Sequence, residues 1–182
     1  KQSAYSLHLD EASNQYYTLG NGTGTTATLG VFDNDFSYTG WIAPSLNTGS
    51  MAVIQTGNGV ANGGFLVYRN GSALNFRVSY NGGYDQINSI VVLQQWNFFC
   101  VTYKASTTEL TIDTGSVCSP IQTRVSTIGT DPIDNVGGPW TICFGNRIPS
   151  GSIPFDGWMD DFATYNQVLT AAEANELFTA AQ

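Results

Sequence analysis

The chain has 182 residues, with six Lys and Arg against fourteen Asp and Glu for a formal charge of -8, and only 11% of its residues are charged. That balance provides no basic footprint for nucleic-acid phosphates or an anionic membrane surface, so neither is expected as a partner. The length suits one domain, taken as residues 1–182, and no window approaches the run of about 18 apolar residues that membrane insertion requires.

Residues Lys1 to Asp10 lack an apolar signal-peptide core, and the chain is expected to begin as a mature protein or an excised domain begins. Strand-like runs bounded by turn residues then recur: Tyr5 to Leu9, Tyr16 to Leu19, Phe36 to Ile42, Met51 to Thr56, Phe65 to Arg69, Leu74 to Tyr80, Ile87 to Leu93, Trp96 to Tyr103, Glu109 to Thr114 and Thr141 to Gly145. This rhythm predicts an all-β antiparallel sandwich. Asn70-Gly71 between two of the runs predicts a type I′ hairpin, since both residues tolerate positive φ. A second hairpin is expected from Trp96 to Thr114. Gly57 to Gly64 and Asn81 to Tyr84 read as rim loops. Near the end, Thr170-Ala-Ala-Glu173 is a capping box that predicts a short C-terminal helix. No internal repeat, linker or low-complexity tract divides the chain.

The residues that carry chemistry are few. A single histidine, His8, lies in the first predicted strand, which leaves a Ser-His-Asp or Cys-His machine without support, and the His-rich spacing that suits metal hydrolysis is absent. Glycoside hydrolysis needs two facing carboxylates, but the four glutamates are Glu11, Glu109, Glu173 and Glu176, and Asp33-Asn34-Asp35 is turn-like. The expectation is therefore that the chain is not an enzyme. Sugar binding needs an exposed aromatic ring flanked by amides or carboxyls. Tyr84 with Asn81 and Asp85, and Trp140 with Asn146 and Arg147, are the candidates. Asn21-Gly22-Thr23 and Asn70-Gly71-Ser72 are acceptor triplets for N-glycosylation at Asn21 and Asn70. Cys100, Cys118 and Cys143 leave open one disulfide with one thiol, or no disulfide.

Several segments, in order, resemble the laminin G-like group of the concanavalin A-like lectin and glucanase superfamily. They are Tyr5-Ser-Leu-His-Leu-Asp10, Phe36-Ser-Tyr-Thr-Gly-Trp41, Trp96-Asn-Phe-Phe-Cys-Val-Thr-Tyr103 with Leu110-Thr-Ile-Asp113, and Ile142-Cys-Phe-Gly145-Asn146. The most specific is Phe155-Asp-Gly157-Trp-Met-Asp160-Asp-Phe-Ala-Thr-Tyr165 through Leu169-Thr-Ala-Ala-Glu173. The sequence departs from the pattern at Glu11, where the group has Gly, and at Asn97, where it has His.

The resemblance implies a jelly-roll sandwich and a lectin-like, non-catalytic extracellular module that binds glycans or glycoproteins in adhesion, secreted or at the cell surface. A structural unit of an extracellular fibre, coat or tail assembly, with self-association, is the alternative. A glycosidase-associated domain ranks below both. In the lectin and glucanase relatives an aspartate matching Asp160 holds a structural calcium, so Asp160 and, more weakly, Asp10 are the expected Ca2+ ligands. Otherwise Asp160, on the same strand face as Phe162, is a buried carboxylate satisfied by loop amides.

Overall fold

The structure, a computed structural model, describes residues 6–19, 35–46, 49–56, 64–80, 83–116, 119–127, 142–147 and 153–181. In chain order the elements are β1 (Leu7–Leu9), β2 (Tyr17–Leu19), β3 (Phe36–Pro44), β4 (Ser50–Thr56), β5 (Gly64–Asn70), β6 (Ala73–Tyr80) and β7 (Gly83–Ile90). They continue with β8 (Asn97–Lys104), β9 (Glu109–Ser116), β10 (Ser119–Thr127), β11 (Ile142–Phe144), β12 (Gly157–Tyr165) and the helix α1 (Ala171–Ala180). Two six-stranded antiparallel sheets result, the first ordered β1-β12-β3-β8-β9-β10 and the second β2-β11-β4-β5-β6-β7.

Period-two alternation decides which side chains meet between the sheets. Phe36, Tyr38 and Ile42 of β3, Phe99 and Val101 of β8, and Leu110 and Ile112 of β9 face Phe65, Val67, Phe76 and Val78 of β5 and β6 in one buried cluster. The intervening residues of the first sheet are also apolar because a second layer covers them. Trp41, Phe98 and Cys100 pack beneath Leu169, Ala174 and Phe178, and the Trp41 and Phe178 rings stack at 5.7 Å. Ser37 pins the helix in place, accepting from the Leu169 amide at 2.8 Å and donating to the Gln167 carbonyl at 2.7 Å. The capping box forms as predicted, with the Glu173 amide donating to Thr170 Oγ1 at 3.2 Å and the Thr170 amide to the Glu173 carboxylate at 2.8 Å.

Several local expectations change. In the β5–β6 hairpin Asn70 pairs with Ala73, so the central turn residues are Gly71 and Ser72, and only Gly71 has positive φ, at 60°. That is the φ signature of a Gly-X turn of the II′ kind rather than type I′. β7 spans Gly83–Ile90 instead of starting at Ile87, and Val91 to Leu93 lie beyond it. β10 was not expected, because Ser119-Pro-Ile-Gln-Thr-Arg-Val-Ser-Thr127 has few buried positions and a Pro near its start, as suits an edge strand.

β12 carries a bulge between Asp160 and Ala163, at which Asp161 has φ 49°. The extra residue reverses side-chain alternation. Asp160 therefore stands across from Trp41 on the outer, helix-side face, whereas the Phe162 ring turns inward against Phe99 and Phe144. Asp160 and Phe162 do not share a face. Phe162 lies over Gly40, where an added Cβ would meet its ring at 2.9 Å.

Candidate functional site

With α1 covering much of the first sheet, the outer face of the second sheet offers polar side chains on three neighbouring strands. Tyr68 of β5, Arg77 of β6, and Tyr84 and Gln86 of β7 alternate with the buried Val67, Phe76, Val78 and Ile87, so all four point away from the core. Register sets their spacing, because Arg77 pairs with Gln86 and Tyr84 with Ser79, two residues further along β6. The Arg77 guanidinium lies 3.8 Å from the Tyr84 ring centroid and 5.2 Å from that of Tyr68. Both are within cation–π range.

Hydrogen bonds lock this cluster. The Tyr68 hydroxyl donates to Gln86 Oε1 at 3.0 Å, and one guanidinium nitrogen of Arg77 donates to the Tyr68 hydroxyl and to Gln86 Oε1, both at 3.3 Å. Tyr84 keeps 47% of its surface exposed, and Gln86 and Asn88 beside it are exposed amides. An aromatic surface held in one orientation, with amides at its border, has the chemistry to stack on a sugar face and hydrogen-bond its hydroxyls.

Tyr84 thus belongs to an ordered, partly exposed cluster, on a strand rather than the expected rim loop. Alternation also separates it from Asp85, which shares its side of β7 with the buried Ile87 and Ser89. Sequence reading passed over Tyr68, Arg77 and Gln86, although the signal was present. Around the β5–β6 hairpin Tyr68 and Arg77 interrupt apolar runs at alternate positions, which marks a common outward face.

Asn146 is fully buried, its amide donating to Asn14 Oδ1 at 2.8 Å and its carbonyl oxygen accepting from the Arg147 amide at 2.7 Å. It braces the link between β1 and β2 and offers nothing to a surface ligand. Trp140, Asn81, Asn21 and Cys118 lie outside the described residues. Asn70 is exposed at the end of β5. His8 packs its ring 4.4 Å from that of Trp158, its cross-strand neighbour. Asp35 accepts from the Ala105 amide at 2.9 Å, a turn-fixing role. Cys100 and Cys143 are buried free thiols, and burial pushes the Cys143 thiol up to about 11.

Asp10 and Asp160 do not converge. Leu9 pairs with Gly157 and Leu7 with Met159, so Asp160 falls level with Ser6, four positions along the chain from Asp10, or roughly 13 Å at strand rise. Asp10 uses both carboxylate oxygens on its own 3₁₀ turn, accepting from the Ala12 amide at 2.9 Å and the Ser13 hydroxyl at 3.2 Å. Asp160 accepts from the Asp161 amide at 2.9 Å. Among the described residues no three His, Cys, Asp or Glu gather around a common point. The pair does not fit a shared calcium ion, which needs six or more oxygens about one centre. Asp160 and Asp161 instead line a cavity of about 230 Å³ with Leu7, Tyr17, Phe144, Met159 and Phe162.

The model of the concanavalin A-like lectin/glucanases superfamily, in a laminin G form, matches residues 10–175. The chain belongs to this superfamily. No curated protein matches it significantly. Solved structures of similar fold include the binding domain of botulinum neurotoxin DC in complex with SialylT, at a TM-score of 0.65 and 15% identity over 92% of this chain and 42% of that one. The same toxin domain in complex with rat synaptotagmin II gives 0.64 and 14%, again over 92% and 42%. The CBM40 of the Ruminococcus gnavus IT-sialidase, bound to alpha2,3 sialyllactose, gives 0.64 and 13% over 79% of this chain and 82% of that one. At these identities the likeness is one of fold, and the chain spans about two fifths of the toxin binding domains. Among the described residues no helix is long and apolar enough to cross a membrane.

Proposed function

We propose that the chain is a non-catalytic, lectin-like recognition domain that works outside the cell and binds glycan on the outer face of β5, β6 and β7. The observation that carries this reading is the ordered Tyr68–Arg77–Tyr84–Gln86 cluster. It offers an exposed ring, fixed by a cation on one side, on a sheet face whose neighbouring exposed groups are amides. Three points of support come from outside the cluster: the lectin-containing superfamily, structures of like fold solved with sialyllactose, SialylT or synaptotagmin II, and the few charges on the chain. A glycan-array screen of the wild type and Tyr84→Ala tests it. Binding to a defined sugar that drops at least about tenfold in the variant is the expected result, as stacking of a sugar on one ring supplies a large part of a small interface. A blank array, or binding that Tyr84→Ala leaves intact, removes the reading.

A second reading, association between copies of the chain, draws on Ile90 and Val92. They are 65% and 36% exposed beside a cleft of about 120 Å³ that Thr114, Ser119 and Gln122 also line. Apolar groups at a sandwich edge favour contact with another protein surface. Concentration-dependent elution on a sizing column, abolished by Ile90→Lys, is its expected signature.

A further inference from the structure

Arg77 is out of electrostatic balance. Its hydrogen-bond acceptors are a phenol and an amide, both neutral, and its Nε is buried with no acceptor among the described residues. No carboxylate is bonded to it there. A guanidinium drawn half out of water, in a chain of formal charge -8, would ordinarily be drawn to one of the many acidic side chains. Asp85, the acidic residue nearest in sequence on the facing strand, lies on the opposite face of β7 from Tyr84 and Gln86. The two tyrosines hold the cation by their ring faces, which fixes its position without neutralising it. Neutral sugars would be served by Tyr84, Gln86 and Asn88 alone, so the cation is surplus to stacking and hydroxyl recognition.

From this we infer that the β5–β6–β7 face selects acidic glycans, with Arg77 meeting an anionic carboxylate or sulfate group on a sugar whose ring lies against Tyr84. The inference rests on the reading of this face as a glycan site and adds the charge of the ligand. The planar guanidinium suits both anions, since each presents paired oxygens to its N–H groups. The acidic surface of the remaining chain disfavours anions in general. Recognition would therefore come from this one fixed cation rather than from a diffuse basic patch.

The test uses matched pairs: each neutral glycan beside its sialylated, glucuronylated and sulfated derivatives, against the wild type, Arg77→Lys and Arg77→Gln. Thermal melting first checks that both variants fold. The expected result is an acid-bearing derivative bound about tenfold or more above its neutral parent, as one charge-assisted contact typically provides. Arg77→Gln should bring that ratio close to one, with affinity for the neutral parent also falling because Arg77 fixes the Tyr84 ring. Arg77→Lys, which keeps charge without the fork, should fall between. A carboxylate preference over sulfate, or the reverse, identifies which acid the site takes. Equal affinity for neutral and acidic partners with binding still lost in Tyr84→Ala overturns the charge preference and leaves the glycan site standing. An acidic preference that survives in Arg77→Gln overturns it as well. No binding to any glycan overturns both.

Discussion

Asp113 stands directly across the β8–β9 ladder from Cys100, and both lie on the face of the first sheet that α1 covers. One carboxylate oxygen of Asp113 accepts from the Thr123 hydroxyl, and the other is buried with no hydrogen-bond partner among the described residues. Burial raises the Asp113 pKa, against the opposing pull of the Thr123 hydrogen bond, and burial followed by the Asp113 charge raises that of Cys100. The folded chain therefore holds this proton more tightly than the unfolded one, whose carboxyl titrates near about 3.9. Stability from this group is fully present below that value and is lost as pH rises through the folded pKa. Asp113→Asn should thus gain on the wild type between pH 4 and pH 7. Urea unfolding at both pH values measures the difference, and a gap that does not change with pH refutes the assignment.

Gly40 and Phe162 should be energetically coupled. Gly40→Ala places a methyl 2.9 Å from the Phe162 ring and 3.1 Å from that of Phe99, an overpacking expected to cost about 1 to 3 kcal/mol. Phe162→Ala removes edge contacts to Phe99 and Phe144 and should cost about 2 to 3 kcal/mol. In the double variant the methyl no longer meets Phe162 and is left with the Phe99 contact alone, so the combined cost should fall short of the sum. Additive costs would mean that the ring does not depend on the missing side chain.

Asn97 replaces the group's usual His and is buried, and it closes the loop between β7 and β8. Its oxygen accepts from the Val92 amide at 2.7 Å, and its amide donates to the Val92 and Gln95 carbonyls at 2.8 and 2.7 Å. Asn97→Ala should cost about 2 to 4 kcal/mol by leaving these groups unsatisfied. Asn97→Asp should cost at least as much, because a carboxylate would face two carbonyl oxygens. Denaturant midpoints for the two variants settle the order.

Calcium should leave the melting temperature unchanged. The Asp10 oxygens serve their own turn, and Asp160 lies on the far end of the β1 pairing. Scans with millimolar calcium and with chelator are the measurement. A calcium-dependent rise of several degrees that Asp160→Asn removes would restore a site built on that residue and backbone carbonyls.

The sandwich was legible because strands with one or both faces buried carry their pattern in residue type. Phe98, Phe99, Cys100 and Val101 announce a central strand covered on both sides, and the Thr170–Glu173 box announces the helix. The sequence resemblance also located β12 and its Asp160. What sequence obscured were positions where a strand is half exposed or irregular. β10 has little to bury. The start of β7, Gly83-Tyr-Asp-Gln, looks like a turn until its pairing with β6 is known. The β12 bulge sends Asp160 and Phe162 to opposite faces, which no count by twos can anticipate. The site itself was only partly visible, because Tyr68, Arg77 and Gln86 become one group through a register that spans three strands.

The placement of α1 gives the molecule a front and a back. The first sheet carries β1 at one edge and α1 on its outer surface, so Leu7 and Ala180 both lie on that half of the sandwich. The Tyr84 face belongs to the other half and looks the other way. A domain arranged in this manner can be tethered from behind, in tandem or in an array, with every copy presenting the same face outward. Weak individual contacts would then add up by valency rather than by enlargement of any one site.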